Sequence, residues 1–207
     1  MKKALNYLGQ VRLYSLIDLA LLLLASHADT AKFLGSLFLW LGFLSLLEAR
    51  HKHTYRENIP YTICVLLFTV GFLLYGGIIP LGYIALSLLY TLKNKSNWGI
   101  VSPFIRGLQT LLLIVGITGF SHFLPYLAGF IIAVRNMLGD ARDVTRDRTE
   151  KMKTFPIILG LEKSPKNIHL FATLATATIW WLIGGFNPIY LLATYVAIVT
   201  TYSLTPR

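Results

Sequence analysis

Asp140, Asp143, Asp147 and Glu150 crowd into the run "RNMLGDARDVTRDRTEKMKTFPIILG", separated by three, four and three residues. At about 100° per residue they would fall within an arc of roughly 80° on one continuous helix, so the spacing places four carboxylates on a shared face. Like charges so close are costly unless a cation lies among them. Arg142, Arg146, Arg148, Lys151 and Lys153 offer a simpler counterweight, a solvated loop in which bases neutralise acids. The cluster begins where an apolar run ends, however, and ionisable groups at the edge of a membrane span commonly serve function.

These ligands suit a hard divalent cation. Magnesium favours carboxylate oxygen, retains waters, and bridges one or two carboxylates to substrate phosphates. Zinc has no comparable ligand set, because His51 and His53 stand two apart with no thiolate nearby. Asn136, one turn before Asp140, shares the acidic face and is a further candidate to ligate or orient. Arg135, Arg142, Arg146, Lys151 and Lys153, with Lys93 and Lys95 from another basic segment, supply partners for anionic oxygen. Acids that hold magnesium, ringed by bases that hold phosphate oxygen, make a diphosphate site.

The elements that must carry this site are apolar helices. Of 207 residues, 55% are hydrophobic and 14% charged, and the mean hydropathy is +0.62, more apolar than a soluble domain of this size. Apolar runs at about 11–28, 33–48, 61–76, 78–92, 104–121, 124–139, 168–186 and 188–204 predict an all-α fold, a polytopic membrane bundle of about eight transmembrane helices in a single domain over 1–207. Several runs are short and would need tilting or local thinning of the bilayer. Lys2, Lys3 and Arg12 before "LIDLALLLLASHA" have the look of a signal peptide, but the spans that follow and Asp18 within the run favour a retained first helix.

Eight spans put both termini on one side. Of nineteen Lys and Arg residues, Lys32 alone falls in a loop on the other side, so the positive-inside rule predicts a multi-pass cell-membrane protein with both termini and the acidic segment in the cytoplasm. Topology and attraction to anionic lipid account for the net charge of +10, and no nucleic-acid motif is present. The single cysteine, Cys64, excludes an internal disulfide. Asp18 reads as a cavity-facing or hydrogen-bonded acid, and Gln109 and Thr110 as helix-packing polar groups. Trp40, Trp98, Trp180 and Trp181 are candidates to line an apolar tunnel or to sit at the interface. A transporter would need charges deep in several spans, and Asp18 has little company there.

The acidic segment resembles the second aspartate-rich segment of the UbiA-type intramembrane prenyltransferases. Arg135 opens it, Asp140, Asp143 and Asp147 take the acidic places, Arg148 follows as the basic residue, and Thr154, Pro156 and Gly160 form the "T-x-P-x-x-x-G" close. "LYTLKNKSNWG", with Tyr90, Lys93 and Lys95, resembles the family's Tyr-to-Lys segment, and Arg12 resembles the Arg that opens its first helix. The resemblance implies helices around a central cavity with a cytoplasmic cap, in which magnesium binds a polyprenyl diphosphate. Asp140, Asp143 and Asp147 would be the chief metal ligands, joined by Glu48 and Asn136. Lys93, Arg12, Tyr90, Lys95, Arg135, Arg142, Arg146 and Lys153 would serve the diphosphate, with Asp140, Asp143 and Lys93 closest to the chemistry. The prenyl group would pass to a hydrophobic acceptor, an aromatic ring or a lipid alcohol.

Two departures qualify this. The family usually has nine helices against the eight apolar runs here. Its first aspartate-rich segment, N-x-x-x-D-x-x-x-D, is replaced by "FLSLLEARHKHTYRENIPY", in which Glu48 takes the central place while Leu44 and Lys52 flank it. Glu48 could then hold a metal or simply pair with Arg50 or Lys52, and Glu57 could reach in from the loop. A relative that carries a polyprenyl lipid, or that cleaves its diphosphate, is the alternative expectation. Acceptor, chain length and a homo-oligomeric state stay open.

Overall fold

The structure, a computed structural model, describes residues 10–50, 59–95 and 97–205. Among these residues there are helices and turns and no strand. The helices are α1 (Leu13–Ala25), α2 (Thr30–Arg50), α3 (Tyr61–Tyr75), α4 (Ile79–Tyr90), α5 (Ser102–Thr118), α6 (Leu124–Arg142), the short α7 (Val144–Thr149) and α8 (Phe155–Ile158), α9 (Ile168–Gly184) and α10 (Pro188–Ser203). The fold is therefore all-α, and the eight longer helices lie over the eight apolar runs.

Local chemistry sets the boundaries. Pro60, extended at φ −65° and ψ 143°, precedes α3, and Pro103, Pro125 and Pro188 lie in the first turns of α5, α6 and α10, where a missing N–H costs no helical hydrogen bond. Asn187 caps α10, its side-chain oxygen accepting from the Ile189 N–H at 2.9 Å. Gly76 and Gly119, at φ 72° and 86°, end α3 and α5 in backbone geometry that other residues rarely adopt.

The exposed surface is unusually apolar. Val65, Leu66 and Leu73 on α3, Phe130 on α6, Leu182 on α9, and Leu192 and Val196 on α10 are all exposed, whereas Asp18, Ser36, Gln109, Thr110 and Thr173 are buried. By length and composition α2 can cross a membrane, while α1, α3, α4, α5, α9 and α10 are apolar but shorter.

The chain divides into two compact units, one formed by residues up to Ile84 with those from Thr176 onward, the other by Ala85–Ala175. In the first unit, α2 and α3 pack backbone to backbone. A Cβ on Gly35 would come within 2.6 Å of the Tyr75 backbone nitrogen, and one on Gly71 within 2.8 Å of the Leu39 nitrogen. The Trp40 indole donates to Ser15 Oγ at 3.0 Å, joining α2 to α1, and the Tyr14 and Tyr202 rings meet edge to face at 4.9 Å, joining α1 to α10.

In the second unit, α5 and α6 cross where a Cβ on Gly107 would meet the Gly129 carbonyl at 2.5 Å. The Gln109 amide donates to Ser87 Oγ at 2.8 Å and accepts from Arg106 Nη1 at 2.5 Å, so α5 is bound to the end of α4 by a buried polar chain. Gln109 is thus the packing group that the sequence implied. Phe104 and Phe155 set α8 against α5, their rings 6.1 Å apart.

Because the α2–α3 contact leaves no room for a side chain, Gly35→Val should force the two backbones apart and cost roughly 1–3 kcal/mol. A clearly lower melting temperature in detergent is expected, and an unchanged one would show that the contact is looser than described.

Candidate functional site

The acidic cluster belongs to the second unit, and a break in the backbone decides what each carboxylate does. α6 ends at Arg142, Asp143 takes φ −99° and ψ 8°, and α7 begins at Val144. The Asp143 N–H reaches back three residues to the Asp140 carbonyl at 3.1 Å, tightening the last turn. Ser164 covers the exposed end of α6 by donating to the Arg142 carbonyl. The continuous helix on which four acids would share a face is therefore interrupted at the second of them.

Asp143 is the acid that the arginines hold. Arg142 Nε and Nη2 donate to its two oxygens at 2.8 and 2.6 Å, and Arg146 Nη2 approaches at 3.1 Å. Such forked pairing is the strongest an arginine makes. Arg146 also lies 3.4 Å from Asp147 and 3.9 Å from Glu150, so one guanidinium serves three acids. The surrounding acids outweigh burial and raise its pKa above the ordinary arginine value.

Asp140 and Asp147 face inward, at 5% and 0% exposure. The chain leaves α4 through a 3-10 turn, Thr91–Lys95, whose first residue bonds back to the Leu88 carbonyl at 2.6 Å. This turn carries the buried Lys93, whose Nζ donates to Asp140 Oδ1 at 2.6 Å. Burial disfavours the ammonium, yet the Asp140 charge, with help from Tyr90, Asp147 and the hydrogen bond, outweighs it and holds Lys93 protonated above the usual lysine range. Burial raises the Asp140 carboxyl, with Lys93 pulling the other way. Asp147 rises from 3.8 to about 6 because its burial exceeds the opposing attraction of Lys93 and Arg146.

What remains unsatisfied marks the site. Asp140 Oδ2, Asp147 Oδ2, Asn136 Nδ2 and the buried Thr154 Oγ1 have no hydrogen-bond partner, a costly condition for buried polar atoms. Asn136 is the amide that the spacing placed on the acidic face. Its amide oxygen accepts from the Tyr90 hydroxyl at 3.4 Å, which leaves the NH₂ group open and suits it to a phosphate oxygen. Among the described residues no three Asp, Glu, His or Cys side chains converge as a metal cage. The two open, buried carboxylate oxygens nonetheless fit a cation that takes one or two protein oxygens and completes its shell with water and phosphate.

The other expected residues distribute as follows. Arg135 is buried on α6, and Lys153 is exposed beyond α7. The side chain of Lys95, and all of His51, Lys52, His53 and Glu57, lie outside the described residues. In the first unit the buried Glu48 pairs with Arg12 at 3.7 Å, so two residues expected to serve metal and diphosphate separately meet each other.

Sequence reasoning overlooked His169, which is buried at the start of α9. A Cβ on Gly139, one residue before Asp140, would approach its ring at 3.1 Å. A lone histidine at the head of an apolar helix was the available signal.

Fold and site together define an all-helical protein with an apolar exterior and a buried lysine and aspartate cluster at the ends of two helices. Comparison with family models, with characterised proteins and with solved structures returned no match.

In metal-free protein the folded state holds the Asp147 proton more tightly than the unfolded state does. The cost of ionising Asp147 is then fully present above about pH 6, and stability rises as pH falls from there towards the unfolded value of 3.8. Asp147→Asn should gain on the parent as pH rises from 4 to 7, by at most about 3 kcal/mol. Melting curves of both proteins in chelator, compared across this range, check it. A difference that shrinks with rising pH would contradict the assignment.

Proposed function

We propose that the protein is a membrane-embedded prenyltransferase, related to the UbiA type, that moves a polyprenyl group from an isoprenoid diphosphate to a hydrophobic aromatic or lipid acceptor with magnesium as cofactor. The observation that carries the reading is the pair of buried carboxylate oxygens left open at Asp140 and Asp147, beside Lys93 and two arginines at the ends of apolar helices. The apolar exterior, with polar groups inside, supports eight helices embedded in lipid. The distribution of Lys and Arg supports a multi-pass cell-membrane topology with this site at the cytoplasmic face.

In this reading Asp140 and Asp147 would hold the cation, and magnesium would supply charge neutralisation for a departing diphosphate. The chain's own residues do the rest. Lys93 would pair with a phosphate oxygen, the Asn136 NH₂ would donate another hydrogen bond, and Arg142 and Arg146, which here pair with Asp143, would offer further donors to anionic oxygen. The allylic carbon–oxygen bond breaks with its electron pair leaving on the diphosphate. A ring carbon or hydroxyl oxygen of the acceptor supplies the pair for the new bond and releases a proton. Apolar side chains around the site keep water from taking the acceptor's place. Quinone-type rings, haem and glycerol lipids all have suitable acceptor chemistry.

The lack of a three-carboxylate cage among the described residues, together with the Glu48 and Arg12 pair, favours a second reading, a relative that binds or carries a polyprenyl diphosphate without transferring it.

Purified protein in nanodiscs, given magnesium and labelled geranylgeranyl diphosphate with and without a membrane lipid extract, distinguishes these. Release of diphosphate is expected, falling at least about a hundredfold in the Asp140→Asn, Asp147→Asn double variant, as for loss of charge stabilisation at a reacting centre. Tight metal-dependent binding without release would support the carrier. Binding and release indifferent to both magnesium and the double substitution would refute the metal and diphosphate reading.

A further inference from the structure

Carboxylate oxygen is scarce in this site despite the number of acids nearby. Asp143 has both oxygens engaged by Arg142 and one approached by Arg146. Glu150, itself exposed, lies 3.9 Å from Arg146 Nε. Asp140 has given Oδ1 to Lys93, and Arg146 stands at 3.4 Å from Asp147 Oδ1. Within the second unit this leaves Asp140 Oδ2 and Asp147 Oδ2 as open buried carboxylate oxygens.

We propose that the site accepts one divalent cation, held by Asp140 Oδ2 and Asp147 Oδ2, and that Lys93 is a built-in second positive charge that moves from Asp140 to phosphate when a diphosphate arrives. The proposal rests on the diphosphate reading above and adds the cation stoichiometry and the role of Lys93. A second cation would have to break the forked Arg142 and Asp143 pair or expel a buried ammonium from a 2.6 Å hydrogen bond. Charge argues the same way. Two ionised carboxylates and one ammonium leave a single net negative charge, which one divalent cation reverses to a single positive charge. Another divalent cation would bury three positive charges in apolar surroundings before any phosphate had arrived, at a large desolvation cost.

Lys93 is equipped for the exchange. An ammonium has three N–H donors on a flexible four-carbon stem, and one of them is spent on Asp140. Before diphosphate binds, that hydrogen bond competes with the cation for the Asp140 charge. Afterwards the ammonium and the cation attract the same anionic ligand. Removing Lys93 should therefore act in opposite directions on the two ligands, which a purely structural lysine would not do.

The test uses the full chain in nanodiscs with manganese alone as the probe, the free ion being counted by its electron paramagnetic resonance signal. One bound ion per chain is expected, weakened about tenfold or more by Asp140→Asn or Asp147→Asn. Lys93→Gln should tighten manganese about tenfold, yet weaken labelled inorganic diphosphate about tenfold at saturating manganese. Lys93→Arg, which keeps the charge, should lie much closer to the parent in both. Two ions of comparable affinity, or a Lys93→Gln variant that binds manganese no better than the parent, would overturn the proposal while leaving the metal and diphosphate reading intact. No specific manganese binding in the parent would sink both. Should Lys93→Gln fail to fold, the stoichiometry of the parent decides the matter alone.

Discussion

A lysine and an aspartate, drawn together at 2.6 Å and almost wholly out of contact with solvent, govern the second unit. Each charge would be strongly unfavourable in this setting without the other. Losing one partner of such a pair typically costs about 3–5 kcal/mol, mostly because the survivor is stranded. Lys93 sits just beyond α4 and Asp140 in the last turns of α6, so the pair fixes where those two helix ends lie. The 3-10 turn after Tyr90 and the tightened end of α6 are the local geometries that bring ammonium and carboxylate into register.

The same constraint explains how four acids coexist in so short a stretch. A continuous helix would have stacked them on one face, where repulsion would favour protonation or fraying. The interruption at Asp143 separates them. Asp143 goes to Arg142 and Arg146, Asp147 and Glu150 lie at the edges of Arg146, and Asp140 goes to Lys93. What survives is a small negative site with little spare ligand, the condition under which a tethered ammonium becomes part of the binding equilibrium.

Packing within each unit combines close backbone approach with buried hydrogen bonds, while many outward-facing side chains are apolar. Gly35 against Tyr75, Gly107 against Gly129, and the chain from Arg106 through Gln109 to Ser87 are the forms this takes here. Such contacts are directional, and directionality is what a site made from side chains of several helices requires.

The sequence by itself determined the eight long helices, since proline, glycine and apolar run length act locally and set most boundaries within a few residues. It also singled out the acidic segment and the basic residues of the loop after α4, because charge of that density is conspicuous against an apolar background. It could not assign partners. Asp143 and Asp147 are the same residue type in the same segment, yet one has both oxygens clamped by arginines and the other is fully buried with an open oxygen. Glu48 meets Arg12, the residue just before α1 and far from it in sequence, and His169 comes to lie beside Gly139 from thirty residues away. These pairings arise from where helices break and which faces pack, and both depend on contacts between residues distant in the chain. Tertiary structure alone decided them, because an ion pair is chosen by distance and burial in space, and spacing along a sequence encodes neither.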